Sequence, residues 1–161
     1  MSIKWIPANK KNFAEGVGRQ ILGIVLHDTE GLLSAAISWF QNPASGVSAH
    51  YLIDRGGEIV QMVEDPNIAY HTKGTWEMMP DCLKALPDPV SCSRINAYSI
   101  GIELVLLPIQ DSYTDAQYGS LGALLAKLCD IYSIPYNRDR IRGHGELQSD
   151  RSDPRGFLWE M

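Results

Sequence analysis

The chain has 161 residues, 45% of them hydrophobic and 20% charged, proportions of a soluble globular domain with enough apolar material for one core. A formal net charge of −5 excludes the basic footprint that nucleic acid or an anionic membrane surface requires. No apolar run reaches the length of a membrane span, and three cysteines without a CxxC pair exclude a disulfide framework or a structural zinc knuckle. These bounds predict one domain over residues 1–161, monomeric, with neither nucleic acid nor membrane as partner. The segment Met1–Pro7 lacks the apolar core of a secretory signal, which predicts a cytoplasmic start.

The first strong element is the run from Ile21 to Leu26, which stops abruptly at His27-Asp28-Thr29-Glu30-Gly31. A short aliphatic run bounded by turn chemistry reads as a strand buried on both faces. Alternation places Ile21, Gly23, Val25 and His27 on one side, so an imidazole leaves the strand at its C-terminal end, where open α/β sheets form ligand crevices. From Leu32 to Gln41, Leu33, Ala36, Ile37 and Phe40 recur at helical spacing until Asn42-Pro43 stops the pattern. Ser48–Asp54 and Glu58–Val63 are β-rich runs joined through Arg55-Gly56-Gly57, which predicts an antiparallel hairpin. Lys73 to Ala97 carries three prolines and no period, and reads as a long functional loop.

Tyr98–Leu107 restores a strand, with Ile100, Ile102 and Leu104 on one face and Gly101, Glu103 and Val105 on the other, so Glu103 is a carboxylate within an apolar strand. Thr114-Asp115-Ala116-Gln117 is a capping box, followed by Tyr118, Leu121, Leu125, Leu128 and Tyr132 at helical spacing up to Pro135. Arg140–His144 is a last short strand, with a polar segment running on to Asp153. The expected fold class is α/β: a single domain with a central mixed β-sheet flanked by helices.

His27 and His144 both end strands. Two such imidazoles with one carboxylate make a three-ligand site with a position left open, the arrangement of a catalytic rather than a structural Zn²⁺. Asp150 and Asp153 are both in reach, and spacing alone does not choose between them.

Leu26-His27-Asp28-Thr29, Ser48–Asp54 with Gly57–Gln61, Ala69-Tyr70-His71, Ser99–Leu104, and Gly143-His144 with Asp153-Pro154 occur in an order that resembles the zinc-dependent N-acetylmuramoyl-L-alanine amidases, which share a fold with peptidoglycan recognition proteins and phage endolysins. The match runs from about Ile24 to Trp159. The resemblance implies one Zn²⁺ per chain held by His27, His144 and Asp153, Glu103 as general acid/base, and a peptidoglycan or muropeptide substrate. It implies Arg151 as an oxyanion partner in place of the family's lysine, a planar fork where a compact ammonium is usual. Further implied roles are a phage endolysin, passing from host cytoplasm to cell wall, or a cytosolic muropeptide-recycling amidase. The alternatives are a non-catalytic peptidoglycan-binding module, or a cysteine hydrolase using Cys92 or Cys129.

Among the remaining residues, His50 is expected as a buried structural histidine, and His71 at the cleft rim, touching substrate or an oxyanion. Trp76 either stacks on a sugar or pins its loop. Cys129 falls on the helical stripe and reads as core, while Cys82 and Cys92 flank the proline-rich loop and could pair only after export.

Overall fold

Two apolar runs, Gly23–Asp28 (β3) and Ser99–Leu104 (β7), lie side by side in parallel at the middle of the sheet. The structure, a computed structural model, describes residues 2–74, 76 and 95–159. Around the central pair are Ile3–Trp5 (β1), Tyr51–Ile53 (β4), Ile59–Gln61 (β5) and Ile141–Gly143 (β8), in the order β1-β5-β4-β7-β3-β8. Only β4 and β5 are antiparallel, as the turn residues between them predict; the other neighbours run parallel, which makes the sheet mixed. Phe13–Ala14 (β2) and Ile68–Ala69 (β6) form a separate small pair.

The two faces of the sheet bury different things. On one, Ile24, Leu26, Ile100, Ile102, Leu104 and Ile141 meet Leu121, Leu124, Leu125 and Leu128 of the helix Asp115–Tyr132 (α2). Each such aliphatic side chain contributes about 1.5–3 kcal/mol of transfer free energy, against about 1 kcal/mol for the Thr114–Gln117 capping box, so packing rather than capping holds α2. The box is nonetheless present as expected, and Ser133 ends the helix in the left-handed conformation. On the other face Leu52, Val60 and Met62 pack with Phe40 of the helix Leu33–Gln41 (α1), and this face also carries His27 and Glu103.

Three expectations shift. The first strand begins at Gly23, two residues late, so Ile21 joins the α2-side core instead of the His27 side. The run Ser48–Asp54 yields strand only over Tyr51–Ile53, because the Nδ1 of His50 takes the amide N–H of Gly101 (3.0 Å) in place of a backbone carbonyl. The N-terminal segment supplies an outer strand, β1, that no periodicity signalled. Among the described residues, no helix is long and apolar enough to cross a membrane.

Candidate metal centre and active site

Three adjacent parallel strands deliver the polar residues to one edge of the sheet. β3 ends at His27-Asp28, Glu103 lies directly opposite His27 in the β3–β7 register, and β8 ends one residue before His144. Asp153 arrives from the following loop, which folds back so that the N–H of Gly145 donates to the carbonyl of Asp153 at 2.8 Å. The fold is tight enough that a Cβ on Gly145 would meet the carbonyl of Arg151 at 2.9 Å. Beyond it, Arg155 clamps Asp28: backbone N–H, Nε and Nη2 each donate to the Asp28 carboxylate at 3.0 Å. Asp28 has no exposed side-chain surface, so the loop bearing Asp153 is bolted to the residue beside His27.

Between the two carboxylates that spacing left open, the structure brings Asp153 to the histidines. One ligand atom from each of His27, His144 and Asp153 lies within 4.8 Å of the others. The Asp153 Oδ2 sits 3.3 Å from His27 Nδ1 and 3.1 Å from His144 Nδ1. Asp150 is not part of this cluster and accepts from Gln148 Nε2 at 2.7 Å.

Hydrogen bonding behind His27 settles which of its nitrogens is bare. The single hydroxyl proton of Ser99 goes to the carbonyl of Ile95 (2.7 Å), so the Ser99 oxygen accepts from His71 Nε2 at 3.1 Å. His71 Nδ1 is then an acceptor, and takes the Nε2–H of His27 at 3.1 Å. The lone pair of His27 Nδ1 therefore points at Asp153. Acceptor atoms converging at these distances repel one another unless positive charge lies between them. Bonds of about 2.0–2.1 Å to a tetrahedral ion put ligand atoms about 3.3 Å apart, which the two Nδ1–Oδ2 separations match. The cluster fits a metal ion.

The electrostatics agree. Burial pushes His27 below its ordinary pKa, keeping it neutral as a ligand must be. Burial acts to raise Asp153, but the two imidazoles of His144 and His27 set against it outweigh that and hold the carboxyl below the usual carboxylate range. Glu103 goes the other way: burial, then the charges of Asp153 and Asp28, push it well above the carboxylate range, opposed by Arg151. The residue is half-buried, yet its Oε2 is closed off from solvent and has no hydrogen-bond partner among the described residues. A buried acceptor without a protein partner, set beside the cluster, is placed to bond a reacting group.

His27, His144, Asp153 and Glu103 line one cleft of about 610 Å³, whose walls also carry Arg151, Tyr70, Ala36 and the half-exposed Trp39 of α1. Trp39 was not among the sequence candidates; nothing but its place on the open side of α1 distinguishes it there. Ser99, Asp28 and Arg155 were likewise missed as supports.

Two expectations are corrected. His71 lines the cleft beside His27, but both of its ring nitrogens are taken by protein, so it offers no polar atom to substrate. It can sit there because residue 101 is glycine; a Cβ would come within 2.5 Å of the His71 ring. Trp76 is 5% exposed and packed with Val25, Ile95 and Tyr98, so it presents no face to a sugar. His50 is fully buried and structural, held neutral with a pKa of about 3 by burial and then by Arg19. Cys129 is a core residue whose thiol burial pushes up, which removes it as a nucleophile. Cys82, Cys92 and most of the long loop lie outside the described residues.

A family model described as N-acetylmuramoyl-L-alanine amidase matches residues 17–156. N-acetylmuramoyl-L-alanine amidase A of Achromobacter lyticus is 43% identical across 96% of this chain and 88% of that protein. The 1,6-anhydro-N-acetylmuramyl-L-alanine amidase AmpD of Escherichia coli is 38% identical across 70% of this chain, a match that spans 55% of AmpD. Among solved structures, a selenomethionine derivative of AmpD superposes with a TM-score of 0.73 at 27% identity, covering 98% of this chain and 90% of that one.

Proposed function

The chain belongs to the N-acetylmuramoyl-L-alanine amidase family, and from that premise we propose that it hydrolyses the amide between the lactyl group of N-acetylmuramic acid and L-alanine in peptidoglycan, using one zinc ion per chain. The observation that carries the reading is the convergence of His27, His144 and Asp153, with Glu103 Oε2, unpartnered among the described residues, beside them. Two nitrogens and one oxygen with a fourth position free is the donor set of a catalytic rather than a structural zinc. Bound there, the ion would polarise the scissile carbonyl and acidify the attacking water.

The protein's own groups do the rest. His71 and Ser99 hold His27 in the tautomer whose Nδ1 faces the cluster. Glu103 takes the proton of the attacking water and hands it to the departing amine of L-alanine. A carboxyl whose surroundings favour its protonated form is suited to that second transfer, and mounting it on a central strand keeps it in reach. Arg151, on the cleft wall, meets the negative charge that develops on the carbonyl oxygen.

Wall lysis as an endolysin, reached from the host cytoplasm, is the leading cellular role. Recycling of soluble muropeptides is the alternative, favoured by the AmpD relatives. Mass spectrometry of digests tests the chemistry and separates the roles when intact sacculi and soluble 1,6-anhydro muropeptides are offered in parallel. New L-alanine amino termini, lost on chelation and restored by zinc, are expected. Cleavage of a glycosidic or stem-peptide bond, or a rate indifferent to chelation, would overturn the reading. Uncut substrate in every arm would make the chain a binding module.

A further inference from the structure

His144 has its own support, independent of the His71–Ser99 chain. Its Nε2 lies 3.0 Å from Oε1 of Gln148. An amide side chain can present oxygen or nitrogen, and the neighbours decide which. The same atom of Gln148 receives the backbone N–H of Lys73 at 3.0 Å, with the hydroxyl of Thr72 at 3.4 Å, and a backbone N–H is only a donor. The other end of the amide lies 2.7 Å from an Asp150 carboxylate oxygen, which is only an acceptor. Both ends therefore agree: the carbonyl oxygen of Gln148 faces His144, and Nε2 of His144 carries the proton.

We propose that Gln148 is the positioning residue for the second imidazole ligand, holding the His144 proton on Nε2 so that Nδ1 stays bare and aimed at Asp153. The role rests on the metal reading above and deepens it. Histidine ligands are commonly oriented through the nitrogen that does not bind, and loss of such a partner typically lowers metal affinity about 10–100-fold. Gln148 is itself fixed from outside the loop it belongs to, since Lys73 and Thr72 are 75 and 76 residues away in sequence. It is thus the joint between the Asp153 loop and the segment following His71.

The test compares wild type, Gln148→Met and Gln148→Glu. Methionine keeps the length and removes the acceptor; glutamate keeps an acceptor toward His144 and Lys73 while losing the bond to Asp150. In metal-free protein, long-range proton–nitrogen NMR of the histidine rings reads the His144 tautomer directly. Zinc affinity is then measured by competition with a chromophoric chelator. Wild type and Gln148→Glu should show the Nε2–H form, whereas Gln148→Met should show mixed tautomers and bind zinc about 10–100-fold more weakly. A purely structural role would lower thermal stability and leave the tautomer alone. An unchanged His144 spectrum in Gln148→Met, or zinc affinity within about threefold of wild type, overturns the proposal. If wild type itself binds no zinc, the metal reading fails, while the metal-free spectra still decide the part played by Gln148.

Discussion

Gly101→Ala places a methyl group where the His71 ring already is. The added Cβ would lie 2.5 Å from His71 Cγ, 2.8 Å from Cδ2 and 2.9 Å from its Cβ, against about 3.5–4.0 Å for carbon atoms in contact. The ring must retreat by about 1 Å, and it cannot do so freely. Its two nitrogens hold His27 Nε2 and Ser99 Oγ at 3.1 Å each, so such a shift carries one or both bonds past the limit of about 3.2 Å for a sound N–H hydrogen bond. Overpacking of this kind costs about 1–3 kcal/mol. At about 2–4 °C per kcal/mol for a chain of this size, the melting temperature of the metal-free protein should fall by roughly 2–12 °C. His27 loses its orienting partner as well, so zinc affinity should fall about tenfold or more.

Gly119 in α2 is the matched control. It is exposed, a Cβ there meets nothing within 4 Å, and alanine is favoured over glycine in a helix by about 1 kcal/mol, so Gly119→Ala should raise the melting temperature and leave zinc binding alone. Calorimetry of metal-free protein and a chelator-competition titration read both quantities. A Gly101→Ala protein with wild-type melting and wild-type zinc affinity would refute the packing argument around His71.

Other outcomes follow from the same geometry. Arg155→Ala leaves the fully buried Asp28 carboxylate without its guanidinium partner, and should cost about 3–5 kcal/mol in chemical denaturation; a loss under about 1 kcal/mol would mean that solvent reaches Asp28. The His50 pKa of about 3 lies below its unfolded value of 6.5. Between those two pH values the unfolded chain binds more protons, so stability drops as pH falls, by about 1.4 kcal/mol per unit from this residue alone. His27 and His71, lowered in the same direction, steepen the slope in metal-free protein. Urea melts from pH 7 to 5 should show the decline and His50→Asn should flatten it, whereas pH-independent stability would contradict buried neutral histidines. Arg151→Ala should lower kcat more than it raises KM, and an effect confined to KM would reassign Arg151 to substrate binding.

Much of this site was legible because its residues interrupt strong patterns. His27 ends an apolar run and Glu103 sits inside one, so alternation alone placed each on a strand face. Their direct opposition across β3 and β7 was not legible, since parallel register is set by partners 76 residues apart rather than by any local turn. The phase error at Ile21 came from counting alternation two residues before the strand begins. β1 was missed because three residues ahead of a proline carry no period, and its strand character comes from pairing with β5. Ser99 and Gln148 were passed over for a related reason. A serine or glutamine has no signature of its own, and what each does here depends on which imidazole the fold sets against it. Trp76 shows the converse, for the sequence leaves an aromatic in a loop open between contact and packing until Val25 and Tyr98 are found to cover it.

The proposed mechanism divides labour between three residues that hold a cation and a fourth that moves protons. The measurement that bears on this most directly is bound zinc per chain in Glu103→Gln, taken on the same sample whose release of L-alanine amino termini from muropeptides is followed. One zinc per chain, with hydrolysis reduced about 10²–10⁴-fold, is the expected result. Loss of zinc in that variant, or hydrolysis at the wild-type rate with zinc retained, would contradict it.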